Sequence, residues 1–241
     1  MSLKMRLSKV CPWRKQTIIF LDIAKNIRGV TLVGEVRIKK TDIKYATPIL
    51  IKAISEVLSS WPHLNCMVKI GSDHRLICMD EISARLTLSY DEERGSSGVY
   101  SALLKNTDKL TIQEINNELV KIKSEKFKKQ IYKKFKLIQK TPVFWGKLLA
   151  KSILYFSPNM QKELFGSFTV TSFGKNSQHL CIPLSGSTFT FTLGAPKKNL
   201  ADSYLLNLVM VFDHRVLDGL EASIFLEKIK NNFSFYTAGT G

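Results

Sequence analysis

Residues 210–219 read MVFDHRVLDG: an apolar run that ends abruptly in a knot of charge. His214 stands between Asp213 and Arg215, and Asp218 follows four positions later. A histidine delivered by a rigid strand is suited to general-base work, because an imidazole titrates near neutral pH and can take a proton from an attacking hydroxyl, amine or thiol. Arg215 and Asp218 can fix the local geometry by ion pairing, and Asp218-Gly219 turns the chain into its last helix. The alternative is an ordinary solvated histidine at a strand end.

The strand that must carry His214 is YLLNLVMVFDH, and LEASIFLEKIKNNF after it reads as a helix with Ala222, Phe225, Leu226 and Ile229 on one face. Ahead of them lie further β-rich runs, GSFTVTSFG and HLCIPLSGSTFTFTLGA, separated by Gly, Asn and Ser. The first half alternates elements. VTLVGEVRI (30–38) has the period of a half-buried strand. TPILIKAISEVLSSWPHLN predicts a helix capped by Thr47, with Pro48 in its first turn, an apolar stripe of Ile49, Ile51, Ile54 and Leu58, and Pro62 as its stop. CMVKIG and RLICMD flank the turn signal Gly71-Ser72-Asp73, so a hairpin is expected there, and RLTLSY (85–90) reads as a strand. Thr111 and Glu114 have capping-box spacing ahead of Ile115, Leu119 and Ile122, and the helical pattern continues to Pro142. With neither an internal repeat nor a linker, these elements predict one α+β domain over 1–233, helices packed on a mixed sheet, and a flexible tail at 234–241.

Composition narrows the function classes. At 241 residues and 44% hydrophobic content the chain can bury a substantial core. Its 36 basic and 20 acidic residues leave a formal charge of +16, which favours phosphate-bearing partners: nucleic acid, an anionic membrane surface or a phosphorylated small ligand. Cys11, Cys66, Cys78 and Cys181 are scattered, with no C-x-x-C and no clustered histidine, so neither a metal site nor a disulfide framework is expected. No apolar run reaches the length of a membrane span or a signal core, and the expected location is the cytoplasm.

The DHRVLDG segment resembles the His-x-x-x-Asp-Gly signature of the chloramphenicol acetyltransferase-like acyltransferases. In its fuller form it resembles the catalytic domain of the 2-oxoacid dehydrogenase dihydrolipoamide acyltransferases. PILIKAISEVLSSWPHLN, KLTIQEINNELVKIK, GSFTVTSFG with IPLSGSTFTFTLGAP, and SIFLEKIKNNF resemble that family's helices and its Gly-Thr-Phe-Thr-x-Ser hairpin with the strand after it, in family order. The resemblance implies an α+β, chloramphenicol acetyltransferase-like two-layer fold and a homotrimer. It implies a coenzyme A thioester as co-substrate, with acyl-CoA or an acyl-carrier protein as donor and a small-molecule acceptor. His214 would be the general base, with Asp218 orienting the site and Arg14 of PWRK as its partner. Thr171, or Ser172 if the register slips by one, would stabilise the tetrahedral oxyanion, His214 facing a neighbouring subunit's Thr171. Arg215 and Gly219 would support the motif.

The 241 residues carry no lipoyl domain or subunit-binding domain, so no lipoyl attachment is expected, and the chain resembles stand-alone acyltransferases, some of which act in natural-product biosynthesis. Alternatives are a catalytically silent scaffold on the same fold and the core of a 2-oxoacid dehydrogenase complex. Phe144, Trp145, Leu148, Leu149 and Ile153 could line an acceptor channel, dock a partner, or pack on the domain. Nine lysines lie between 121 and 140, with Phe127, Ile131 and Phe135 on one helical face. They suggest peripheral membrane contact or attraction of anionic coenzyme A; nucleic acid is not expected, since no recognised motif accompanies them.

Overall fold

The computed structural model describes residues 12–25, 27–72, 75–91, 97–124, 141–172, 180–199 and 203–238. Its elements run α1 (Pro12–Ala24), β1 (Gly29–Lys39), α2 (Ala46–Ser60), β2 (Cys66–Val68), β3 (Leu76–Cys78), β4 (Ala84–Asp91) and β5 (Ser97–Leu104). They continue with α3 (Ile112–Lys123), α4 (Val143–Phe156), α5 (Pro158–Phe165), β6 (Phe168–Ser172), β7 (Phe189–Leu193), β8 (Lys197–Lys198), β9 (Ser203–Asp213) and α6 (Gly219–Ala238). A mixed sheet in the order β1-β9-β7-β6-β4-β5, with β8 pairing to β9, forms the centre. This is the α+β architecture expected from the sequence.

Period-two alternation decides the two faces of the sheet. Phe168 and Val170, Phe189, Phe191 and Leu193, and Leu206, Leu208, Met210 and Phe212 all join the core beneath α2, α3 and α6. Side chains of this kind contribute about 1.5–3 kcal/mol each when fully buried. On the reverse face β4, β6 and β7 present Arg85, Thr169, Thr171, Thr190 and Thr192, so that part of the face is polar, while β9 adds the buried Val209 and Val211. At its β4–β6 end that face is covered by α1, whose Ile19 and Ile23 meet Leu154 of α4 and Phe165 of α5 in a second, smaller cluster. Helices therefore lie on both sides of this end of the sheet, an addition to the two-layer arrangement expected.

Local sequence set most elements. Thr111 and Glu114 form the reciprocal capping box, and Ile115, Leu119 and Ile122 are buried. Ile49, Ile51, Ile54 and Leu58 are buried along α2. β2 and β3 pair as the expected antiparallel hairpin. The continuation of α3 through the lysine run, with Phe127, Ile131 and Phe135, lies outside the described residues.

Four expectations are corrected. Thr47 does not cap α2: a 3-10 turn over Lys40–Tyr45 runs directly into the helix, so Tyr45 holds the cap position and Thr47 sits within the first turn. GSFTVTSFG, likened to a hairpin, contributes β6, which among the described residues runs parallel to both of its neighbours, β4 and β7. Cys66 and Cys78 oppose each other in the β2–β3 register and form a disulfide, which sequence spacing across a hairpin does not advertise. The tail is helical as far as Ala238: Phe233 is fully buried, Tyr236 hydrogen-bonds Glu56, and Thr237 donates to the Arg37 carbonyl at 3.5 Å. These contacts hold 234–238 against α2 and β1; residues 239–241 lie outside the described residues.

Asp22 fastens α1 to α4. Its carboxylate meets Lys151 at 2.8 Å, Lys25 at 3.1 Å and Lys147 at 3.3 Å. The hydrogen bond from Lys151, followed by that from Lys25, holds the Asp22 carboxyl far below its ordinary value of 3.8. A depressed carboxyl stabilises the fold at pH above its ordinary value and loses that contribution as pH falls towards the folded-state value. Asp22→Asn is therefore expected to lower Tm at pH 7, by about 2–4 °C for each kcal/mol removed. The difference from the parent should shrink progressively below about pH 4 in a thermal-melt series.

Candidate active site

β9 is an interior strand, bonded to β1 on one side and to β7 on the other. Its last residues are therefore held from both sides. The Asp213 amide donates to the Thr188 carbonyl at 2.9 Å and the His214 amide to the Arg28 carbonyl at 3.0 Å, so the main chain at the motif is fixed before any side chain is considered.

The His214 ring is half exposed. Its Nδ1 lies 3.1 Å from the carbonyl oxygen of Leu217. A carbonyl can only accept, so this bond assigns the proton to Nδ1 and leaves Nε2 of the neutral ring with a free lone pair. The ring stands edge-on to Phe212, centroids 6.0 Å apart. That is the tautomer and the restraint a general base requires.

The carboxylates divide differently from the expectation. Arg215 pairs with Asp213, not with Asp218: Nε donates to Oδ1 at 3.0 Å, a terminal guanidinium nitrogen to Oδ2 at 2.6 Å, and the Arg215 amide to Oδ1 at 3.1 Å. Asp213 is almost wholly buried, and this fork stiffens the turn that carries His214. Asp218 is solvent-facing, with Oδ1 3.7 Å from His214 Nδ1, and its main-chain carbonyl accepts from Ala222 as α6 begins. Gly219 opens that helix with nothing near the position a Cβ would take. Arg14 falls in the first turns of α1, but its side chain lies outside the described residues.

Thr171 and Ser172 end β6, Thr171 half-buried and Ser172 exposed. In register Thr171 pairs with Thr192, and Thr192 with Val209, five residues short of His214. The separation along the strands is roughly 17 Å. One chain therefore does not bring His214 and Thr171 together.

Two hollows flank these residues. Beside the motif, Lys25, Arg28, Lys69 and Arg215 line a cleft of about 480 Å³, with Ser72, Gln161 and Gly186 among its other walls and no acidic side chain among the described residues that line it. Lys25 and Arg215 are paired with Asp22 and Asp213, and Lys69 lies 5.8 Å from the centre of the Tyr155 ring. Sequence reasoning missed this cleft, because its cations come from the end of α1, the start of β1, the β2–β3 turn and the motif itself. The second hollow lies over Thr171, between α1 and the reverse face of the sheet. Of the apolar residues of α4, Phe144, Trp145, Leu148, Leu149 and Ile153 are exposed and line neither hollow; Ala150 alone of that helix borders the second. Among the described residues no cluster of His, Cys, Asp and Glu could hold a metal ion, and no helix is long and apolar enough to cross a membrane.

No protein-family model matches the sequence, and no curated protein matches it. Solved structures do match the fold. A probable dihydrolipoamide acetyltransferase from Listeria monocytogenes superposes with a TM-score of 0.66 at 19% identity, covering 98% of this chain and 97% of that one. The dihydrolipoamide acetyltransferase of Azotobacter vinelandii gives 0.67 at 14% identity, over 98% and 93% of the two chains. A chloramphenicol acetyltransferase gives 0.53 at 10% identity, over 92% and 95%. The chain has the chloramphenicol acetyltransferase-like fold shared by the catalytic cores of dihydrolipoamide acyltransferases.

Proposed function

We propose that this chain is an acyltransferase that moves an acyl group from a thioester, acetyl-CoA or another acyl-CoA, to a hydroxyl, amine or thiol of a small acceptor. The observation that carries this reading is the His214 ring: with Nδ1–H donating to the Leu217 carbonyl, Nε2 is left to take the acceptor's proton. In the reaction the deprotonated acceptor attacks the thioester carbonyl and forms the new bond to carbon. The tetrahedral oxyanion collapses, the C–S bond breaks, and the leaving thiolate recovers the proton from the imidazolium. A hydroxyl donor at the oxyanion lowers the barrier further.

Thr171 is that donor, supplied by a neighbouring subunit of a homotrimer, since within one chain it sits a sheet's length from His214. Two further observations support the reading. The basic cleft beside Arg28 and Arg215 suits the phosphates of coenzyme A. In the Azotobacter vinelandii enzyme, whose catalytic mechanism has been investigated through a serine, a histidine and an asparagine, the asparagine follows the histidine by four positions; here Asp218 follows His214 by four.

The test is turnover of acetyl-CoA against a panel of small hydroxyl, amine and thiol acceptors, followed by thiol release. Saturable coenzyme A release that depends on acceptor supports the reading; none with any acyl-CoA or acyl-carrier protein overturns it. Thr171→Ala is expected to lower kcat by about 10²–10³. Mixing Thr171→Ala with His214→Ala chains through a dissociation step should restore activity that neither has alone, because each mixed trimer then contains one interface with an intact histidine and threonine.

A further inference from the structure

The hollow over Thr171 has a volume of about 270 Å³. At about 30 Å³ for each water-sized group it admits a small molecule of about nine heavy atoms. Phe20, Val99, Leu164 and Leu184 give it an apolar wall. The sheet supplies its polar floor, with Arg85 beside Thr171.

Arg85 is 8% exposed, and burying a guanidinium costs several kcal/mol unless an anion offsets it. One terminal nitrogen donates to the Ser101 hydroxyl and the other to the Glu163 main-chain carbonyl at 2.8 Å, while Nε is buried without a partner. Two of its five N–H donors are thus engaged, both by neutral oxygens. Among the described residues no carboxylate forms an ion pair with Arg85, and none of the side chains lining the hollow is acidic. The carboxylate of Glu163 is taken by Lys105. Burial pushes the Arg85 guanidinium down to about 10, with Glu163 acting in the opposite direction, so it remains a cation at neutral pH.

We infer that this hollow binds a small organic acid, its carboxylate on Arg85 and its apolar body against Phe20, Val99 and Leu184. Arg85 pairs with Thr169 and Thr87 with Thr171 in the β4–β6 register, which puts Arg85 and Thr171 on one face, one strand and two residues apart. Their Cα atoms are about 8 Å apart at ordinary strand spacings. The acid is therefore the substrate on the Thr171 side of the reaction, its reacting atom a few bonds from its carboxylate. This last step rests on the acyl-transfer reading; the binding itself rests on the hollow alone.

The test is calorimetric titration of the full chain with hexanoate and benzoate beside hexanamide and benzamide. The acids are expected to bind about 10–100-fold more tightly than their amides, as a charge-assisted pair in a buried site predicts. Arg85→Gln should abolish that preference and Arg85→Lys should retain part of it. Equal affinity for acid and amide, an undiminished preference in Arg85→Gln, or no binding at millimolar ligand overturns the inference. If Arg85→Gln fails to fold, the acid–amide comparison on the parent chain decides alone. Loss of acid binding with acyl transfer intact counts against this inference only, and acid binding without any turnover counts against the acyl-transfer reading only.

Discussion

His214→Ala is expected to lower kcat for thioester-dependent acyl transfer by about 10²–10⁴, the usual contribution of a positioned general base. The loss should fall on kcat with little change in the affinity for acyl-CoA, because the basic cleft draws on Lys25, Arg28, Lys69 and Arg215 rather than on the imidazole. The substitution is gentle to the fold. The ring is half exposed and its hydrogen bond to Leu217 closes a turn already held by the Asp213–Arg215 fork and by the His214 main-chain amide. Steady-state kinetics beside a thermal melt separate the two effects. A variant that melts like the parent and transfers acyl groups as fast would remove His214 from the chemistry and leave the silent-scaffold reading in possession of the fold.

The second large effect is on stability. Asp213→Ala removes the carboxylate that takes two guanidinium bonds and one main-chain N–H, all at a buried strand end. Removing one partner of a buried ion pair typically costs about 3–5 kcal/mol, because the remaining charge keeps its desolvation penalty. In a chain of this size that corresponds to a fall in Tm on the order of 10 °C. Replacing both partners, as Asp213→Ala with Arg215→Met, should recover part of the loss, since the desolvation penalty of the guanidinium that Asp213 offsets is then removed as well. The double variant separates the cost of a stranded charge from that of an altered turn: equal melting of the single and double variants would assign the whole effect to the turn.

Several elements were legible because their causes are local. The capping box at Thr111 and Glu114, the stripe of Ile49, Ile54 and Leu58, the hairpin turn at Gly71 and the alternation in the strand before His214 are each written within about a dozen residues. The helical end of α6 was misread for the same reason: SFYTA contains no strong local signal, and what orders it is the distant carboxylate of Glu56 and the carbonyl of Arg37. The disulfide likewise needs the β2–β3 register, which sets Cys66 opposite Cys78.

For the site, the sequence by itself determined the reagents: an imidazole at the end of an apolar strand, a carboxylate four residues on, and a threonine that ends another strand. Tertiary structure decided their partners. Asp213 rather than Asp218 took Arg215, because β9 buries Asp213 and leaves Asp218 in solvent. The cations of the cleft and the Arg85 hollow were assembled from elements far apart in the chain. Periodicity and capping act between neighbours a few residues apart, so sequence records them; the choice of counterion and the walls of a cavity depend on which strands lie side by side, and that is settled when the sheet closes.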